Sequence, residues 1–218
     1  MLFYFIGTIS TISVAIPLFF GFFNYKKLSV EMKILVWYLL TSFVFEIVVA
    51  FLILLRISSN TLWLSHVFPI IEYIFLVVIF SRWQRNIRLK KIYLWGIPFM
   101  MALMIVNILF FQPITQANTY VMSIHKLLLI GISAFTLLEL NKENTYPITR
   151  EYRFWVVTGI LFYNIPTLIM FSLLNNIISH QDIQLVKVLF SINIILNIIT
   201  YIIYAEGFLC RHQAQKSG

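Results

Sequence analysis

The sequence predicts an all-α fold, a polytopic membrane bundle of seven transmembrane helices that forms one domain over residues 1–218. First, the 218 residues are 61% hydrophobic and only 11% charged, and a mean hydropathy of +0.90 lies far outside the range of soluble globular domains. Second, apolar runs of about 20 residues recur along the chain, each long enough to cross a hydrocarbon core of roughly 30 Å. Third, these runs are continuous, whereas the strands of a membrane barrel alternate, so the spans are predicted to be helices.

Seven spans follow from these apolar runs. In chain order they are Leu2–Phe23, Lys33–Leu55, Leu62–Ser81, Ile92–Phe111, Thr119–Leu140, Phe154–Leu174 and Gln184–Leu209. The first run lacks the basic leader and the small-residue cleavage site of a signal peptide, so we expect it to remain as a helix.

The basic residues indicate how the spans are oriented. Of the 16 Lys and Arg residues, 13 lie in alternate connections, which read NYKKLSVEMK, RWQRNIRLKK and NKENTYPITREYR, and in the tail after Cys210. Basic residues accumulate on the cytoplasmic side of membrane proteins, so we expect a multi-pass protein of the cell (inner) membrane with its amino terminus outside and its carboxyl terminus in the cytoplasm. The formal net charge of +8 is thereby explained without a nucleic-acid partner.

Two carboxylates lie near the middle of predicted spans. Glu46 occurs in TSFVFEIVVAF of the second span, and Glu72 occurs in HVFPIIEYIFLVVIF of the third. Ionisable groups inside a bilayer face the bundle interior and mark binding sites or proton pathways, because burying an unpaired charge costs several kcal/mol. Helical spacing places Ser42 and Ala50 on the same face as Glu46, and these small residues allow a neighbouring helix to approach closely.

The last three spans carry further polar groups. Lys126 lies about two turns from the outer end of the fifth span, and Asn164 precedes Pro166 near the middle of the sixth. The seventh span has the longest polar stripe, formed by Asn193, Asn197, Thr200, Tyr201 and Tyr204 at offsets of four, seven, eight and eleven. The predicted ligand- or proton-binding residues are therefore Glu46, Glu72, Lys126, Asn164, Asn193, Asn197 and Tyr201. Interhelical hydrogen bonding is the alternative role for the Asn side chains.

The surroundings of the charged groups are also predicted. We expect Glu72 to face the bundle interior beside the second or the seventh span. Lys126 is able to reach the depth of the carboxylates, in which case it sets their protonation state, or to extend outward to the membrane surface. His66, His125 and His180 are expected at or near the outer surface.

Matched spacings suggest an internal repeat. Trp37 precedes Glu46 by nine positions as Trp155 precedes Asn164, and His66 precedes Glu72 by six positions as Lys187 precedes Asn193. Two parallel three-helix units would then flank the fourth span in a 3+1+3 plan, as in SWEET-type transporters.

Three segments resemble a known group of proteins. The stretches IIEYIFLVVIFSRW, FWVVTGILFY and SINIILNIITYIIYAEGFLC are similar to those of a loose group of small, uncharacterised bacterial proteins with seven transmembrane helices. The resemblance implies the fold class and an integral membrane location, and it carries no mechanism. The retinal-binding lysine, the receptor motifs around helices 3 and 7 and the proline-glutamine motif of sugar transporters do not occur.

These features favour a non-enzymatic protein without a cofactor or metal. The leading interpretation is a receptor or accessory signalling subunit that lies in the lipid bilayer, binds a small solute or lipid between its helices and acts on a cytoplasmic or membrane partner. The alternative is a small proton-coupled or facilitative transporter of SWEET-like architecture. An intramembrane hydrolase using the two carboxylates ranks third, because no Ser-His pair, metal motif or Gly-rich phosphate motif supports it.

Overall fold

The computed structural model describes residues 9–55, 62–143, 147–179 and 183–210, and all the regular structure in these ranges is helical. Two short 3-10 helices, Tyr25–Lys27 and Ile148–Arg150, precede the second and the sixth α-helix. The seven helices are α1 (Ala15–Phe23), α2 (Val30–Leu54), α3 (Leu64–Trp83), α4 (Ile87–Phe110), α5 (Thr119–Glu143), α6 (Tyr152–Ser179) and α7 (Ile183–Leu209).

The prediction of an all-α bundle with seven helices is confirmed. Six helices, α2 to α7, are long and apolar enough to cross a membrane. A shorter apolar helical stretch, Ile9–Phe23, precedes them; it has a turn at Val14, and its residues before this turn are counted with α1. The first seven residues of the predicted span Leu2–Phe23 lie outside the described part of the chain. The chain is therefore a multi-pass membrane protein.

Among α2 to α7 the boundaries differ from the predicted ones by at most five residues, at the end of α6 (Ser179 rather than Leu174) and at the start of α4. This helix begins at Ile87, five residues before the predicted Ile92, because the Asn86 side chain accepts a hydrogen bond from the Arg88 backbone N–H at 2.9 Å. The cap satisfies a backbone donor of the first turn, so the helix extends through basic residues that hydropathy alone places in the connection.

The helices pack in a closed ring. α1 packs on α2, α2 on α3, α3 on α5, α5 on α6, α6 on α7, and α7 returns to α1. α4 lies outside this ring, where it packs on both α3 and α5. Two parallel three-helix units, α1 to α3 and α5 to α7, would produce the same pattern of neighbours with α4 as the connecting helix. The 3+1+3 repeat itself stays a prediction.

Trp37 and Trp155 make related contacts at the starts of α2 and α6. The Trp37 Nε1–H donates to the Tyr25 hydroxyl at 3.0 Å, and the Trp155 Nε1–H donates to the Thr149 carbonyl at 2.8 Å. Each acceptor belongs to the 3-10 helix that precedes its α-helix. Each tryptophan thus contacts the 3-10 helix before its own α-helix, although Trp37 lies seven residues after the start of α2 and Trp155 three residues after the start of α6.

We call the end of the bundle that carries the basic connections the basic end, and the other the opposite end. The tightest apolar packing lies in the half nearest the basic end, where α2 and α6 begin and α3 and α7 finish. Residues with less than 5% of their surface exposed there include Val36, Leu39, Val77, Phe80, Val157 and Phe208. Lipid tails are as apolar as these side chains, so close van der Waals packing holds the helices together.

Two glycines permit close approach of helices in this half. A Cβ atom on Gly159 of α6 would lie 2.6 Å from Cε1 of Tyr204 in α7, and one on Gly21 of α1 would lie 2.7 Å from Cγ2 of Val36 in α2. Contacts of real Cβ atoms are longer than these distances, so with the neighbouring side chains in these positions only glycine fits at 21 and 159.

Candidate functional site

A polar cavity lies inside the ring, and we call it the central cavity. Its volume is about 520 Å³, which is within the range of small-molecule sites. It is lined by α1, α2, α3, α6 and α7 through Ser10, Thr11, Tyr38, Ser42, Phe45, Glu46, Val49, Ala50, Phe68, Glu72, Tyr163, Asn164, Phe190, Asn193, Ile194, Asn197, Thr200, Tyr201 and Tyr204. Six of the seven predicted site residues are in this wall. The exception is Lys126.

Glu46 reaches the cavity from the middle of α2. Its Oε1 accepts a hydrogen bond from the Tyr201 hydroxyl of α7 at 3.3 Å, and the carboxylate also bonds the Thr11 side chain of α1. Among the described residues, no Lys, Arg or His lies within 4.0 Å of this carboxylate. Hydroxyl groups alone thus offset the charge of Glu46.

Glu72 lies deeper, with 5% of its surface exposed. Its Oε1 accepts a hydrogen bond from the Tyr38 hydroxyl of α2 at 3.0 Å, which confirms the prediction that Glu72 faces the interior beside the second span. Its Oε2 lies 3.8 Å from Nε2 of His125 in α5. Glu72 is therefore held between α2 and α5.

The structure corrects the prediction for His125, which was placed at or near the outer surface. His125 has no exposed surface, and its ring packs edge-on against Tyr73 at 5.6 Å between centroids. Because α3 and α5 are ring neighbours, this side chain points between them towards Glu72. His66 is also buried, and it contacts the Gln116 carbonyl oxygen at 3.1 Å. His180 lies outside the described residues.

Lys126 does not extend outward to the membrane surface, and 1% of its surface is exposed. Its Nζ donates to Oδ1 of Asn164 at 3.3 Å and lies over the rings of Tyr163 and Phe171, at 4.6 and 5.5 Å from their centroids. Its Nζ is more than 4.0 Å from the carboxylate oxygens of Glu72, so these two charges attract each other at longer range without forming an ion pair. Lys126 thus stands behind the cavity wall, on the far side of Asn164 and Tyr163.

The polar stripe of α7 forms one side of the cavity. Asn193 accepts a hydrogen bond from the Tyr163 hydroxyl at 3.4 Å, and Tyr201 bonds Glu46 as described. Thr200 is 4% exposed, and within the described part of the chain its hydroxyl has no hydrogen-bond partner. A buried hydroxyl without a partner is costly unless something in the cavity bonds it.

The cavity is closed towards the basic end. Tyr38, Tyr201 and Tyr204 stand at this end of the wall, and all three are buried. Beyond them lies the apolar core that contains Val36, Leu39 and Phe208. The polar wall belongs to the half of the bundle nearest the opposite end.

Sequence reasoning missed a second polar network at the opposite end. Asn118 is fully buried, and its Nδ2 donates to the Ser65 carbonyl at 3.1 Å, while Asn107 Nδ2 donates to its Oδ1 at 3.2 Å. Gln112 Oε1 accepts from the backbone N–H groups of Thr119 and Tyr120 at 3.0 and 3.1 Å. These bonds fasten the connection between α4 and α5 to the start of α3. The amide side chains directly before a helix start were the available signal.

Within the described residues, no group of three His, Cys, Asp or Glu side chains is placed to hold a metal ion. The site therefore offers hydrogen bonds, aromatic faces and two carboxylates. Comparisons with protein-family models, with curated proteins and with solved structures found no match.

Proposed function

We propose that the protein binds a small solute or lipid in the central cavity and acts as a membrane receptor or accessory signalling subunit. The proposal rests on a cavity of about 520 Å³ whose wall contains both intramembrane carboxylates. A bundle held by helix packing alone needs neither carboxylate, because burying a charge costs several kcal/mol.

Two amide side chains of the wall are available to a ligand. Asn193 and Asn197 are only partly buried, and both line the cavity. Small-molecule sites combine an apolar and aromatic lining with a few convergent polar groups, and this wall has that character.

The apolar core closes the cavity towards the basic end, which supports a signalling role over passive flow of a solute through the bundle. A ligand in the cavity contacts α1, α2, α3, α6 and α7 together, so its binding favours one arrangement of their ends. The basic end is then the surface that presents the change to a cytoplasmic or membrane partner.

The test compares a substitution that fills the cavity with a control substitution on the lipid-facing side of the same helix. Asn197 lines the cavity, whereas Ile195 on the same helix is 51% exposed on the outside of the bundle. Melting temperatures in detergent are measured with a panel of cationic, neutral and anionic solutes and lipids. We expect a panel member to raise the melting temperature of the wild type and of Ile195→Phe, but not that of Asn197→Phe. If every panel member gives the same shift in both variants, the cavity is not the binding site.

The alternative function is a small transporter, and the ring of helices is the observation that favours it. Two three-helix units with α4 outside would surround the cavity, and relative movement of such units is a known route to alternating access. Purified protein in proteoliposomes should then carry a solute that stabilises it in detergent. Stabilisation without flux supports the receptor, and flux abolished by Asn197→Phe supports the transporter.

A further inference from the structure

We propose that the central cavity takes an organic cation, a protonated amine or a quaternary ammonium, whose positive charge pairs with Glu46. The inference rests on the proposed binding function and names the class of ligand. It follows from the charges of the wall, from the unequal pairing of the two carboxylates and from the aromatic lining.

The charged residues that the structure describes in the wall are all of one sign. Of the 19 described lining residues, two are glutamates and none is Lys, Arg or His. The nearby cation Lys126 lies behind Asn164 and is engaged by that side chain and by two aromatic rings. A ligand in the cavity therefore meets negative charge without a competing cation in the wall.

The two carboxylates differ in how their charges are offset. Glu72 lies 3.8 Å from Nε2 of His125, and Lys126, at more than 4.0 Å, offsets its charge in part. Glu46 has the hydroxyls of Tyr201 and Thr11 and no cation within 4.0 Å among the described residues. A carboxylate in a bundle interior is stabilised by a cation or a proton. A cationic ligand would thus supply the positively charged partner of the Glu46 carboxylate.

The rest of the lining favours an organic cation over a metal ion. Seven of the 19 wall residues are aromatic, and the rings of Phe45 and Phe68 lie 4.8 Å apart beside Glu46 in the wall. Ammonium groups bind aromatic faces, whereas hard metal ions require a close shell of oxygen atoms. The protein already holds one ammonium in this way, since Lys126 Nζ lies 4.6 Å from the Tyr163 ring centroid.

The volume excludes a lone ion as the natural occupant. A cavity of about 520 Å³ is filled by a molecule with an apolar body, and that body would lie against Phe45, Phe68 and Phe190. The cationic head would then lie against Glu46.

The test uses two probes of one shape and different charge. Benzyltrimethylammonium carries a permanent positive charge, and neopentylbenzene is its neutral isostere. Dissociation constants are measured by calorimetry for the wild type, for Glu46→Gln and for Glu206→Gln, a matched control on the exposed surface of α7. We expect the cation to bind the wild type at least about tenfold more tightly than the isostere, and Glu46→Gln to weaken cation binding by at least about tenfold. The Glu206→Gln variant should bind like the wild type.

Each other outcome overturns the inference. Equal binding of both probes, or cation binding unchanged in Glu46→Gln, removes the cation preference and leaves the proposed solute-binding function intact. If neither probe binds, the inference that the ligand is an organic cation is also overturned. The melting experiment with the solute panel and Asn197→Phe then decides the proposed function independently. If Glu46→Gln fails to fold, the ratio of the two probes on the wild type decides alone.

Discussion

The charge of Lys126 should be held in place by Glu72, and removing either charge should destabilise the bundle. Lys126 is 1% exposed and Glu72 is 5% exposed, so neither reaches water when the other is replaced. In Glu72→Gln the new amide still accepts the hydrogen bond from Tyr38, which means that only the charge is lost. In Lys126→Met the side chain keeps its length, and again only the charge and its bond to Asn164 are lost.

The expected magnitude follows from the burial of both groups. Removing one partner of a buried pair in direct contact costs about 3 to 5 kcal/mol, and this is an upper bound for Glu72 and Lys126 because their charged atoms are more than 4.0 Å apart. For a domain of this size each kcal/mol lowers the melting temperature by about 2 to 4 °C, so each single variant should melt below the wild type by up to about 20 °C, and by more than the control. The double variant should lose less than the sum of the two singles, by about 1 to 3 kcal/mol, because no charge is then stranded.

The assay is unfolding by SDS in mixed micelles together with thermal melting in detergent. Lys187→Met is the matched control, since Lys187 lies on the exposed surface at the start of α7, and it should change stability by less than about 0.5 kcal/mol. Additive losses in the double variant, or single variants as stable as the control, would refute the electrostatic link between α3 and α5.

Two further predictions concern packing and topology. Gly159→Ala should destabilise the protein by about 1 to 3 kcal/mol, because the new methyl group meets the ring of Tyr204. Gly131→Ala is the control and should be neutral or stabilising, because a Cβ atom there has nothing within 4 Å. Equal melting temperatures of the two variants would show that the α6–α7 contact is not tight. Reporter fusions at residues 86 and 116 should report opposite sides of the membrane, with residue 86 in the cytoplasm, because the basic connections are predicted to be cytoplasmic; reports from one side contradict a span over α4.

The helices were predictable from the sequence because hydropathy and length decide membrane spans. The stripe of α7 was predictable as well, since helical spacing alone puts Asn193, Asn197 and Tyr201 on one face, and all three line the cavity. The start of α4 was not predictable, because it depends on the Asn86 cap and hydropathy carries no information on helix caps.

The partners of the charged residues could not be read from spacing. Which helices are neighbours depends on the packing of the whole ring, and the ring places α5 beside α3 and leaves α4 outside. The expectation that His125 is near the surface was wrong for this reason. Tyr38 and Tyr163 were missed because tyrosines in membrane proteins are common at interfaces, and their burial follows from tertiary contacts.

The centre of the bundle is expected to be a site open to small polar molecules. Cysteine accessibility tests this most directly, because Cys210 is the single native cysteine and is replaced by serine in the background. Asn197→Cys is compared with Ile195→Cys in membrane vesicles by using a small, membrane-impermeant thiol reagent. We expect modification at position 197 and none at position 195, which faces lipid, and benzyltrimethylammonium should slow the reaction at position 197. Modification at position 195 with protection at position 197 would contradict the account.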